Sequence, residues 1–183
     1  MKLNLGCGEN HVPGFINVDK FGTPDIKHDL EQFPWPWEDN GIDEILMNHI
    51  LEHLGETSGI FLDIIKEIYR ICKPGTKIKI KCPHPRHDDF ISDPTHVRAI
   101  TPRLFELFSK KNNKKWIEGK FANSPLALYL NVDFEIENVR LALESPWREQ
   151  FNAKEISPAK LDEAVKQYNN VIKETEIILR VIK

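Results

Sequence analysis

The stretch Leu3-Asn4-Leu5-Gly6-Cys7-Gly8-Glu9-Asn10-His11-Val12-Pro13-Gly14-Phe15-Ile16-Asn17-Val18-Asp19 reads as strand, glycine turn, strand and terminal acid. The first strand, Lys2-Leu3-Asn4-Leu5, stops at Gly6-Cys7-Gly8, where missing side chains allow close backbone approach and unusual φ values. The pattern is not a full G-x-G-x-x-G and no helix signal follows it, so a dinucleotide pyrophosphate on a helix N-terminus is poorly supported. Asp19 closes the second strand, where an acid either accepts hydrogen bonds from ribose hydroxyls or is simply solvated. Asp29, closing a third strand over 25–30, either meets an adenine amino group or caps a turn.

Working outward, 42–48 reads as a fourth strand entered from the turn Asp39-Asn40-Gly41. Phe61, Ile64, Ile65, Ile68 and Ile71 recur at the helical period, which predicts a helix over 61–72 ended by Lys73-Pro74-Gly75. A fifth strand follows over 76–82, with Ile78, Ile80 and Cys82 alternating against lysines. Residues 83–102 read as loop, 102–108 as a short helix and 110–115 as a polar, basic loop. A strand over 134–143, a helix begun by Ser157-Pro158 and a closing strand over 175–182 complete the chain. Strands alternating with connections imply a parallel α/β sheet, with the last two strands as an antiparallel edge. Ligands of such sheets lie beyond the carboxyl ends of the strands. That rule places Gly6, Gly8, Asp19, Asp29, His49 and the 83–89 loop at one rim.

These pieces, in this order, resemble class I S-adenosylmethionine (SAM)-dependent methyltransferases. They are most similar to a compact methyltransferase-11-like branch whose first helix is shortened. The resemblance extends through Ile42-Asp43-Glu44-Ile45, His49-Ile50-Leu51-Glu52-His53-Leu54 and Tyr69-Arg70-Ile71-Cys72-Lys73-Pro74-Gly75. It continues through Asp93-Pro94-Thr95-His96-Val97-Arg98 and Thr101-Pro102, covering about residues 2–108. Asn4 departs from it, standing where many members carry an acid. The resemblance implies an α/β fold with a Rossmann-like class I methyltransferase sheet, mostly parallel with an antiparallel C-terminal edge strand. It implies one SAM-binding domain over 1–183, with its core at 1–108 and acceptor-side and C-terminal strands at 109–183. It implies S-adenosyl-L-methionine as cofactor, held by Leu5, Gly6, Cys7, Gly8, Asp19, Asp29, Leu30, Asn48 and His49. In that assignment Gly6 and Gly8 approach the methionine part, Asp19 holds the ribose, Asp29 and Leu30 border the adenine, and Asn48 and His49 face the sulfonium.

SAM is already an activated electrophile, so transfer needs orientation and sometimes a base. Histidine takes a proton near neutrality, and the chain has seven. His84, His87 and His49 are the candidates for acid–base work; His53 reads as structural. His84, His87, Asp88 and His96 offer zinc- or iron-type ligands, but their spacing matches no standard motif, so no metal ligand is assigned. Lys110, Lys111, Lys114 and Lys115 read as a solvated run. Trp35 and Trp37 read as packing a loop over the sheet edge.

Composition narrows the partners. The 183 residues carry a net charge of −3, unlike the basic face of a duplex nucleic-acid binder. No apolar run approaches the ~18 residues of a membrane span. Cys7, Cys72 and Cys82 lack metal or disulfide spacing, which fits a reducing compartment. With no room before the first strand for a leader, the expectation is a cytoplasmic protein acting on a small-molecule or glycan-precursor acceptor, at oxygen or nitrogen. No nucleic-acid or membrane partner is expected. Two alternatives stay open: a SAM-binding scaffold without turnover, and a metal-dependent enzyme using the His-rich loop.

Overall fold

The computed structural model describes residues 1–183. Seven strands form one sheet: β1 (Lys2–Leu5), β2 (Ile16–Asp19), β3 (Ile26–Lys27), β4 (Ile42–Asn48), β5 (Cys72–Pro83), β6 (Phe134–Leu143) and β7 (Ile172–Val181). Their order is β3-β2-β1-β4-β5-β7-β6. β1 to β5 pair in parallel, and β7 runs antiparallel between β5 and β6. The sheet is therefore mostly parallel with an antiparallel C-terminal section, as the sequence predicts. The reversed strand is β7, and β6 forms the edge.

Register explains the core. Ile16, Leu3, Ile45, Ile78 and Leu179 stand side by side across five strands. Val18, Leu5, Met47, Ile80 and Ile177 form the next such row. Both rows belong to one apolar cluster with Phe61, Ile64, Ile65, Ile68 and Ile71 of α1 (Ser58–Ile71). Thr57 caps α1 through its side-chain oxygen, which accepts from the Ile60 N–H. The opposite sheet face is more polar. There Lys77, Lys79 and Lys81 of β5 pair with Glu137, Glu176 and Glu174 at 2.9, 3.0 and 2.8 Å.

No helix joins β1 to β2 or β2 to β3. A polar network organises the first of these connections. Asn4 Nδ2 donates to Asn10 O and Asn17 Oδ1, while Asn17 Nδ2 donates to Asp25 Oδ2. Asn4 and Asn17 are cross-strand neighbours, and both are buried. Between β3 and β4, Trp35 and Trp37 turn into the core. Arg70 of α1 clasps that loop by donating to the carbonyls of Trp35 and Trp37, and Glu67 accepts from the Trp35 N–H.

Several local expectations are corrected. Residues 110–115 are not a loop but the start of α4, within the further helices α2 (Asp88–Ile91), α3 (Pro102–Glu106) and α4 (Lys110–Glu118). Ser109 caps α4, and buried Asn113 ties it down by donating to Leu107 O. A polar residue thus occupies its inner face, where an apolar one would have revealed the helix. Strand β5 starts immediately after α1, and Lys73-Pro74-Gly75 bulges between the Ile42↔Cys72 and Glu44↔Lys77 pairings. Two short helices, α5 (Leu126–Leu130) and α6 (Trp147–Asn152), have no side-chain N-cap to announce them in the sequence, whereas α7 (Pro158–Gln167) begins at Ser157 as the sequence predicts.

Candidate active site

A cleft of about 480 Å³ opens beyond the carboxyl ends of β1, β2, β3 and β4. Gly6, Gly8, Asp19, Asp29, Leu30 and His49 line it, so six of the nine cofactor candidates meet in one place. Leu5 is fully buried beneath, Cys7 is buried with its thiol donating to Gly8 O, and Asn48 is exposed outside the lining.

The glycines have separate reasons to be glycine. Gly6 has φ +66°, and a Cβ there would stand 2.2 Å from Ile50 Cγ1. Ile50 packs against the turn from the end of β4, so the glycine floor and the fourth-strand motif are built against each other. Gly8 has φ +49° and open space where its Cβ would be. Its N–H donates to Asp19 Oδ2 at 2.8 Å, and Phe21 N donates to Asp19 Oδ1 at 2.9 Å. Asp19 is thereby held at the rim by two backbone donors, with carboxylate lone pairs left over for a ligand. Asp29 Oδ1 accepts from Glu31 N, and Lys20 Nζ lies 3.5 Å from Asp29 Oδ2.

His49 has φ +50°, left-handed for a non-glycine residue. Its Nε2 meets Glu174 Oε1 at 2.9 Å, and Lys81 meets the other Glu174 oxygen. The Glu52 carboxylate raises the His49 pKa above the usual imidazole value more than desolvation lowers it, and Glu174 adds to the rise.

The other two catalytic candidates lie elsewhere. His84 lines a separate cavity of about 420 Å³ with Ile100, Val139 and Leu141. Burial, then Arg86 and His87, hold its pKa below the usual value. His87 is buried; its Nδ1 accepts from Asp89 N to cap α2, and its Nε2 meets Glu144 Oε2 at 3.2 Å. The 84–88 loop turns away because His84 N donates to Lys173 O and Asn170 N donates to Arg86 O. It follows the entry of β7 rather than the end of β4. Nor do His84, His87 and Asp88 converge with His96: the ligand-type side chains that do converge are Glu52, His53 and His96.

Sequence reasoning missed several lining residues: Lys20, Phe21, His28, Glu31, His53 and Thr95. For Lys20, Phe21, His28 and Glu31, adjacency to Asp19 and Asp29 was the available signal. His28 packs edge-on to Trp37 at 5.8 Å, and desolvation lowers its pKa. Glu31 Oε1 accepts from Gly55 N at 2.7 Å, joining two walls of the cleft.

No family model and no curated protein matches the chain. Solved structures do. A SAM-dependent methyltransferase from Archaeoglobus fulgidus is 17% identical, with 98% of this chain and 85% of that one covered at a TM-score of 0.62. A SAM-dependent methyltransferase from Methanosarcina mazei is 13% identical, with 99% and 92% covered at 0.55. Phosphoethanolamine N-methyltransferase 2 from Haemonchus contortus, in complex with S-adenosyl-L-methionine, is 14% identical, with 100% and 48% covered at 0.51. The chain has the class I methyltransferase fold.

Proposed function

We propose that the cleft binds S-adenosyl-L-methionine and that the chain transfers its methyl group to oxygen or nitrogen of a small-molecule acceptor, a glycan precursor among the candidates. The observation carrying this reading is the meeting of Gly6, Gly8, Asp19, Asp29, Leu30 and His49 in one cleft at the strand ends. The solved structures of this fold that are SAM-dependent methyltransferases add support. Asp19 accepts from the ribose hydroxyls, the 6–8 turn lies along the methionine part, and Asp29 and Leu30 flank the adenine. Methyl transfer then needs the acceptor atom about 3–3.5 Å from the methyl carbon and in line with its bond to sulfur, and most of the rate comes from that alignment. His49 is the titratable group of the cleft best suited to receive a proton from the acceptor. His84 and His87 are assigned no proton-transfer role in this reading.

The setting proposed is cytoplasmic: three free, buried cysteines fit a reducing compartment. No helix is long and apolar enough to cross a membrane. Net charge of −3 favours a small acceptor over nucleic acid.

Titration calorimetry with SAM, S-adenosylhomocysteine and NAD tests the reading. SAM and S-adenosylhomocysteine should bind at one per chain, and NAD should not. Asp19→Ala should weaken SAM by about 1.5–3 kcal/mol, the loss of charge-assisted hydrogen bonds. An unchanged affinity in that variant would remove the ribose assignment.

A further inference from the structure

We propose that Glu52, His53 and His96 form a binding site for a divalent first-row transition metal, at the wall of the cleft. One ligand atom from each residue lies within 4.8 Å of the others. Glu52 is 1% exposed, and neither carboxylate oxygen has a hydrogen-bond donor. Its nearest basic group, His49 Nδ1, is 3.5 Å from Oε1, longer than a formed hydrogen bond. His49 is thus the carboxylate's only ion-pair partner, at long range and on one oxygen, which leaves Oε2 of a buried charge without a counter-charge.

The two imidazoles are oriented to supply lone pairs. His96 Nδ1 lies 2.9 Å from the Phe90 carbonyl, which can only accept, so Nδ1 carries the proton and Nε2 is free. Thr95 Oγ donates to Asp93 Oδ1 at 2.6 Å and therefore accepts from His53 Nδ1 at 2.9 Å. In the neutral ring, His53 Nε2 is then the nitrogen that offers a lone pair. Each ring thus has the outer hydrogen bond from Nδ1–H that metal-ligating histidines use. A carboxylate and two imidazoles thus stand close together, with Asp93 Oδ2 a further 3.8 Å from His96 Nε2, and this is a donor set that a metal ion completes. Two imidazoles and one carboxylate suit zinc, iron or cobalt better than magnesium or calcium. Tetrahedral ligands lie about 3.4 Å apart, so atoms now within 4.8 Å of one another draw together by up to about 1.4 Å when the ion binds. The backbone also secures the group, since Val97 N and Arg98 N both donate to Glu52 O.

His53 and Thr95 line the cleft, so a position left open on the ion lies beside it. On the methyl-transfer reading, which the metal site does not require, an acceptor hydroxyl bound there would lose its proton more readily.

The test uses the full chain, stripped with chelator and titrated with zinc chloride by calorimetry in the absence of SAM. One equivalent should bind. His53→Ala and His96→Ala should each weaken zinc by more than about 100-fold, beyond the usual effect of an outer-shell partner. Exposed His11→Ala should not. Zinc should raise Tm in wild type and not in Glu52→Gln. Imidazole nitrogen NMR of the wild type needs no substitution: zinc should shift the Nε2 resonances of His53 and His96. Shifts at His84 or His87 instead, or no stoichiometric zinc, would overturn the site. Failure of SAM to bind would leave it standing.

Discussion

Replacing Gly6 by alanine should destabilise the protein through two separable terms. The first is conformational: φ is +66°, and an L side chain in the left-handed region costs about 1–2 kcal/mol. The second is steric. The new Cβ would stand 2.2, 2.6 and 2.7 Å from Ile50 Cγ1, Cβ and Cδ1, so Ile50 must shift, and overpacking of this kind costs about 1–3 kcal/mol. Together they predict a loss of about 2–5 kcal/mol in urea denaturation at unchanged m. Ile50→Ala removes two of the three clashing atoms. The double variant should therefore recover about 1–2 kcal/mol relative to the sum of the single changes. Gly8→Ala is the contrast: it meets nothing within 4 Å, so only the conformational term of about 1–2 kcal/mol applies. Its added methyl belongs to a cleft-lining residue, and SAM affinity rather than stability should register it most. Additive Gly6 and Ile50 changes, or a Gly6→Ala midpoint equal to wild type, would refute the argument that the turn and the fourth-strand motif are built against each other.

Ile68 is 2% exposed on the inner face of α1, and Ile68→Ala should cost about 2–5 kcal/mol by cavity formation; an unmoved denaturation midpoint would contradict its packing. His49 has a folded pKa above its ordinary value of 6.5, so its contribution is fully present below 6.5 and is lost as pH rises through the folded value. The Tm difference between wild type and His49→Gln should accordingly shrink with rising pH, and a difference that grows would reverse the assignment. Arg70→Met should cost about 1–3 kcal/mol, because it strands the Trp35 and Trp37 carbonyls and leaves Glu67 without its counter-charge; retained near-ultraviolet tryptophan signal and stability would show that the clasp is dispensable.

The glycine turn, the acid ending β2 and the periodic face of α1 were legible because each is local: backbone freedom, strand termination and a 3.6-residue repeat need no partner to be recognised. The place of Asn4 was not. Its role depends on Asn17 standing opposite in the parallel register, which the sequence does not display. The same limit hid His53 and Thr95, joined at 2.9 Å across 42 residues. It also left open where His84 and His87 sit, since a position after β5 says nothing of which neighbouring strand captures the loop. Helix α4 escaped because its fully buried residue is Asn113, and a lysine-rich run around an asparagine resembles a solvated loop.

Strand β7 comes late in sequence but lies inside the sheet, and this sets an order of events on the ribosome. β5 ends at residue 83, while β7 begins at residue 172. At translation rates of about 5–20 residues per second, the β5 ladder waits several seconds for its neighbour. During that interval β5 is a bare edge, the kind of surface on which nascent chains join one another. Lysines at every second position from Lys77 to Lys81 are a deterrent to such joining, since two β5 edges brought together would set cation against cation. The partner for which the edge is reserved carries Glu174 and Glu176, and those same lysines turn from a barrier into a docking code when it arrives.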